Sequence, residues 1–208
     1  MRCFIAVDVG PGIAEKLSVE VPALKSAAAE CKLRVSWSLP ESWHATLKFL
    51  GEVDEARAEA VRSRLRVLDG LEPFPVEATG LLPLPNDART PNVIAVRLSD
   101  DGRFSRLAAA VDEAVSAEGF ERETRRFVPH LTLGRIRAPR GWWQFAREID
   151  RLARRSFGTG EVRTMTFYRS HLGKGPARYE ALERFALGPR AAPSAGAAPM
   201  RAVKDSGN

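Results

Sequence analysis

Three histidines occur in the 208 residues, and two of them stand in one repeated pattern, His44-Ala45-Thr46-Leu47 and His130-Leu131-Thr132-Leu133. On a strand the side-chain period is two, so His and Thr at i and i+2 project from one face while Ala45 or Leu131 packs behind. Each segment thus offers an imidazole beside a hydroxyl. Histidine is the side chain whose ordinary pKa, about 6.5, lets it give or take a proton near neutrality. Two imidazoles on opposite sides of a phosphorus suit in-line displacement. One, neutral, deprotonates an attacking water; the other, protonated, donates to the departing oxygen. Thr46 and Thr132 are the hydroxyls expected to hold the non-bridging oxygens between the rings. An arginine nearby would stabilise charge on those oxygens. The sequence has no HExxH or CxxC pattern, and two histidines on separate strands make a poor metal site, so no metal or other cofactor is expected.

Two such strands need a scaffold that presents them together. Hydrophobic patterning predicts a strand at 3–8, a helix from Pro11 to about Glu30 and a short strand from Arg34 to Trp37. A strand from Trp43 to Leu50 carries the first His-x-Thr and is closed by Gly51. A helix over 53–68, strands near 74–80 and 92–98 joined by a Pro-rich loop (82–87), and a helix over 103–118 follow. The second His-x-Thr lies on a strand from Phe127 to Ile136, followed by a helix near 141–155 and strands near 160–168 and 178–186. The order repeats. His44 and His130 are 86 residues apart (44 to 130), and the same offset carries Val76 onto Val162 and Ala95 onto Ala181. Ile5-Ala6-Val7 also matches Ile94-Ala95-Val96, each ahead of a helix. Two similar lobes are expected, their His-x-Thr strands facing one another across a cleft. After Leu187 the composition shifts to Gly, Pro, Ala and Ser, so residues 188–208 read as a disordered tail beyond a 1–187 domain; Arg201 and Lys204 in that tail are expected to be solvated.

Composition narrows the class. The chain is 44% hydrophobic and 28% charged, values of a globular protein, and lacks the run of about 18 apolar residues that a spanning helix needs. Its start reads as a strand and not as a signal peptide, and Cys3 and Cys31 read as reduced, buried thiols, which makes the cytoplasm the default location. The net charge of +6 favours a polyanionic partner, since Lys and Arg neutralise phosphate and release counterions.

With both motifs and their flanks in view, a family resemblance emerges. Phe4-Ile5-Ala6-Val7, Trp43-His44-Ala45-Thr46-Leu47-Lys48-Phe49-Leu50-Gly51 and Arg126-Phe127-Val128-Pro129-His130-Leu131-Thr132-Leu133-Gly134-Arg135 resemble the two-histidine phosphoesterase superfamily. Within it they are most similar to the bacterial and archaeal RNA 2′,3′-cyclic phosphodiesterases, formerly called 2′-5′ RNA ligases. The resemblance covers residues 1 to about 187. It implies an α+β fold with two pseudo-symmetric lobes, antiparallel sheets flanked by helices, and a central cleft. It implies hydrolysis of cyclic ends of RNA, or of nucleoside 2′,3′-cyclic phosphates, to 2′-phosphomonoesters. A monomer without membrane attachment is expected. It also implies that His44 is the proton donor and His130 the acceptor; the residues alone leave the two imidazoles interchangeable.

Three further residues are weighed as substrate contacts. In the family the position of Arg135 tends to contact nucleotide or phosphate, although strict alternation would turn it away from His130 unless the strand bends near Gly134. Phe4 is either a base-stacking ring or core. Lys48 shares the alternating face of His44 and Thr46, so it is either a phosphate contact or a solvent-exposed strand end. His171 reads as a surface histidine, and of Trp142 and Trp143 at least one should be core, because neighbours on a helix point about 100° apart. The alternative activities are 2′-5′ RNA ligation and cleavage of 2′-5′-linked oligonucleotides. A non-catalytic RNA-binding module is the alternative of another class.

Overall fold

The computed structural model describes residues 1–68, 71–85, 89–171 and 177–188. The chain order is β1 (Arg2–Val7), α1 (Pro11–Glu30), β2 (Arg34–Trp37), β3 (Ala45–Glu52), α2 (Glu55–Arg66), β4 (Phe74–Leu84), β5 (Val93–Ser99), α3 (Arg103–Ser116), β6 (His130–Ala138), α4 (Trp142–Arg151), β7 (Ser156–Val162), β8 (Thr164–His171) and β9 (Arg178–Ala186), with one 3-10 turn at Pro40–Ser42. Local chemistry accounts for the helices. Pro11 sits in the first turn of α1, where its missing N–H costs nothing, and Ile13, Leu17, Val21, Leu24 and Ala28 bury one stripe. The Asp54 carboxylate caps α2 by accepting from the Arg57 N–H at 2.8 Å. On α4, Trp142, Phe145 and Ile149 face inward while Trp143 is 63% exposed, so one tryptophan of the pair is core.

The strands form two antiparallel sheets, β3-β1-β8-β9 and β2-β6-β5-β4-β7. Helices α2 and α3 back the first sheet and α1 and α4 the second. The internal repeat is spatial as well as sequential. The β1–β3 pair and the β5–β6 pair are equivalent: Ala6 lies opposite Thr46, and Ala95 opposite Thr132. The Ile5-Ala6-Val7 and Ile94-Ala95-Val96 match therefore marks true equivalents. The other two matches do not. Val76 and Val162 lie on paired strands of one sheet, Phe74 standing opposite Val162, and β9 holds the outer place in its sheet while β5 neighbours the motif strand.

Two expectations on the strands need correction. The segment near 160–168 is two strands, broken at Arg163, which pass the chain from one sheet to the other. Part of the Pro-rich loop is strand, because β4 runs on to Leu84 with Pro83 opposite Ile94. Residues 86 and 87 of that loop and 189–208 of the expected tail lie outside the described residues; Leu187 and Gly188 donate to the carbonyls of Arg163 and Leu71 at 2.8 Å. No helix is long and apolar enough to cross a membrane among the described residues.

Candidate active site

The two His-x-Thr segments are shaped by the same irregularity. In β3 the register runs Ala6–Thr46 and then Ile5–Lys48, leaving Leu47 as an extra residue. In β6 it runs Ala95–Thr132 and then Ile94–Gly134, leaving Leu133 extra. Leu47 and Leu133 occupy the same place in the repeat, so each motif carries a β-bulge directly after its threonine. A bulge reverses the alternation beyond it. Arg135 therefore returns to the face of His130 and Thr132, and Phe49 returns to the face of Thr46. Phe49 is 62% exposed. Gly134 is held open by packing, since a Cβ there would lie 2.6 Å from Val35 Cγ1.

The same reversal corrects Lys48. Its side chain points away from the cleft, is 9% exposed, and donates to Asp112 Oδ1 at 2.5 Å and to the Glu121 carbonyl at 2.6 Å. Neither a phosphate contact nor an exposed strand end describes it. Phe4 is corrected as a base-stacking ring: it is 3% exposed and stacks against His44 at 4.9 Å. It is the floor beneath the imidazole. His171 is exposed on β8, its Nε2 2.8 Å from Glu180 Oε2.

His130 is steered by the carbonyl two residues before it. His130 Nδ1 lies 2.7 Å from the Val128 oxygen; a carbonyl only accepts, so Nδ1 carries the hydrogen and Nε2 is the available nitrogen. The Ser42 backbone, two residues before His44, opposes the lowering of that ring's pKa. The surroundings differ. Phe4, Tyr179 (edge-on, 5.0 Å) and Tyr168 (5.9 Å) enclose His44 in an aromatic nest. Burial, with the charges of His130 and Arg135, pushes the His44 pKa down to about 4 against the opposing Ser42 backbone. Burial lowers His130 as well, opposed by the Val128 hydrogen bond, with Arg135 adding to the lowering. Arg135 bears on both rings, and it opposes the burial that raises the Tyr179 pKa, as its place on the face of Thr132 leads one to expect. Thr46 and Thr132 are half-buried on the same faces as their histidines.

The structure thus brings His44, Thr46, His130, Thr132 and Arg135 together and sets Lys48 and Phe4 behind them. Sequence reasoning missed Phe49 as a cleft residue, although the 86-residue offset sets it on Arg135. It missed Tyr168 and Tyr179 because they arrive from β8 and β9, far along the chain and in no motif. Among the described residues no group of three or more His, Cys, Asp or Glu side chains could hold a metal ion. The arrangement can hold an anion between two imidazoles and exchange one proton with each side of it.

Comparison with known proteins places the chain in a family. The family model described as the 2′-5′ RNA ligase superfamily matches residues 18–174. The chain is 34% identical over 188 residues to an RNA 2′,3′-cyclic phosphodiesterase of Methanothermobacter thermautotrophicus, covering 90% of this chain and 99% of the relative. It is 34% identical to the enzyme of that name from Archaeoglobus fulgidus, covering 85% and 95%. The crystal structure of TT0787 from Thermus thermophilus superposes with a TM-score of 0.69 at 29% identity, over 90% of this chain and 98% of that one. Escherichia coli LigT, crystallised with 3′-AMP, superposes at 0.67 and 21% identity, again over 90% and 98%, and shares the fold.

Proposed function

The chain belongs to the 2′-5′ RNA ligase superfamily, and from that premise we propose that it hydrolyses 2′,3′-cyclic phosphate ends of RNA, or nucleoside 2′,3′-cyclic phosphates, to 2′-phosphomonoesters. The observation that carries this reading is the doubled site: two imidazoles at equivalent positions of paired strands, each beside a threonine and each followed by the same bulge. Such a site supports one inversion at phosphorus. The His130 Nε2 takes a proton from water as the water oxygen bonds to phosphorus. The bond from phosphorus to the ribose 3′ oxygen breaks, and His44 delivers a proton to that oxygen. Thr46 and Thr132 hold the non-bridging oxygens, and Arg135 offsets the charge that grows on them. The polarity, His44 as donor, follows the family resemblance. Named relatives support the substrate class.

No step in this scheme asks for a metal. Incubation of an oligonucleotide ending in a 2′,3′-cyclic phosphate with the protein and EDTA is expected to give full turnover and a 2′-phosphate. A 3′-phosphate product would sink the assignment of the ribose 3′ oxygen as the leaving group, and no hydrolysis would sink the reading. Ligation, with an RNA 5′-hydroxyl in place of water, competes against water at about 55 M and is expected only when two ends are held together.

The pKa values set the pH dependence. The donor must be protonated, and that fraction falls about tenfold per pH unit above its pKa; the acceptor must be neutral, and that fraction falls below its own. Both pKa values lie below the ordinary histidine value, His44 at about 4. The bell of kcat/KM, which reports the free enzyme, is therefore displaced to the acid side and peaks below about pH 6.5. A bound phosphate anion favours the imidazolium, so the kcat profile lies at higher pH than that of kcat/KM. A flat rate between about pH 5 and 8.5 would contradict paired acid–base catalysis.

A further inference from the structure

The two lobes surround their histidines differently, and the repeat shows where they part. His130 is held by a hydrogen bond, its Nδ1 2.7 Å from the Val128 oxygen. His44 is held among rings. Phe4 lies under it at 4.9 Å and 29°, and Tyr168 stacks on Phe4 at 5.2 Å and 18°. Tyr179 stands edge-on to both His44 and Phe4, at 5.0 Å from each. Pairing puts these rings on one face: Phe4 stands opposite Tyr168, Tyr168 opposite Ala181, and Tyr179 two residues before Ala181 on β9.

The second lobe has no such nest at the same places. Ile5-Ala6-Val7 is equivalent to Ile94-Ala95-Val96, so Phe4 corresponds to Val93. Tyr168 stands opposite Phe4 as Leu84 stands opposite Val93. Two aliphatic side chains thus occupy the positions that carry two rings in the first lobe, and no aromatic ring packs on His130 among the described residues. The sheet closes without rings there, so the demands of folding do not explain them. Their effect is local to His44. The last torsion of a histidine side chain is otherwise broad, and a ring lying flat on Phe4 and met by the edge of Tyr179 cannot turn about it without collision.

We propose that Phe4 and Tyr179 are positioning residues that fix the plane of the His44 imidazole and aim its proton at the departing ribose oxygen. The identity of that oxygen rests on the hydrolase reading; the hold on the ring does not. The same two rings keep water from the imidazole, and that burial is the first cause of its pKa of about 4. Asp8, Glu41, Arg178 and Arg184 line the cavity that His44 shares, and His130 and Arg135 act on it across the cleft. All six stay in place in every variant below, so a changed titration reports the rings.

The test sets Phe4→Leu, Tyr179→Leu and Tyr179→Phe beside the unmodified protein. Each is measured by rate on an oligonucleotide ending in a 2′,3′-cyclic phosphate and by NMR titration of the imidazoles. In the two leucine variants kcat is expected to fall about tenfold to a hundredfold, the cost of a misaimed group. KM should move by less than about threefold, since other side chains hold the phosphate. The His44 pKa should rise from about 4 towards the ordinary value of about 6.5 while that of His130 stays put. Tyr179→Phe keeps the ring and should recover most of both losses. Leucine variants that keep the parent kcat and the parent His44 titration would overturn the proposal, whatever their melting temperatures. Tyr179→Phe as slow as Tyr179→Leu would overturn it as well, because the hydroxyl and not the ring would then matter. Should Phe4→Leu fail to fold, the half-buried Tyr179 carries the test alone. An unmodified protein that opens no cyclic phosphate would defeat the hydrolase reading, and the titration would still decide whether the rings hold His44.

Discussion

Alanine at His44 or at His130 is expected to lower kcat for cyclic-phosphate opening by about 10²–10⁴-fold each. Both proton transfers belong to one displacement, so removing either partner removes the concerted exchange. The double variant should then be little worse than the poorer single one, since groups that act as a unit are not additive. KM should change much less than kcat, because in the proposed mechanism Thr46, Thr132 and Arg135 are left to hold the phosphate. His44→Ala also removes a ring stacked on Phe4 at 4.9 Å, so its melting temperature must be read beside its rate. His130 has no such aromatic partner among the described residues, and its variant is the cleaner measure of chemistry. Either variant retaining more than about a tenth of the parent kcat while folded would refute the paired mechanism.

The His-x-Thr pair was legible in the sequence because it occurs twice, and a duplicated polar pattern on two strands has no packing explanation. The helices were legible for local reasons: Pro11 in the first turn of α1, Asp54 ahead of α2, and the apolar spacing of Trp142, Phe145 and Ile149. What could not be read was the parity of each strand beyond its motif. A bulge at Leu47 or Leu133 depends on pairing with β1 or β5, a non-local fact, and no propensity of leucine announces it. Period-two reasoning consequently placed Lys48 in the cleft and turned Arg135 out of it, the reverse of the outcome in both cases. The difference between the two histidines was equally hidden, since Tyr168 and Tyr179 reach His44 from strands more than 100 residues away along the chain.

Lys48 is where this reversal has its largest measurable effect. Its ammonium joins β3 to Asp112 on α3 and to the Glu121 carbonyl, while Asp112 also accepts from the Glu123 N–H at 3.1 Å. The group pins the start of the irregular segment that ends at His130, whose Val128 carbonyl orients the ring. Lys48→Met leaves the buried Asp112 carboxylate with only the largely exposed Arg122, 3.4 Å away, as a charged partner, so it is expected to cost about 3 kcal/mol. For a domain of this size that is a fall in Tm of about 6–12 °C. Burial pushes the Asp112 carboxyl up, but the Lys48 hydrogen bond and the Glu123 N–H together hold its pKa below the ordinary value. A depressed carboxylate pKa contributes stability that is present at neutral pH and lost as pH falls through the folded value. In the variant the buried carboxyl, with only Arg122 beside it, takes up a proton more readily, so the gap between parent and variant should narrow below about pH 4. Lys48→Met/Asp112→Leu should lose less stability than the two single changes added, because no charge is left stranded. A direct phosphate contact predicts the opposite: a raised KM, an unchanged Tm and no recovery in the double variant.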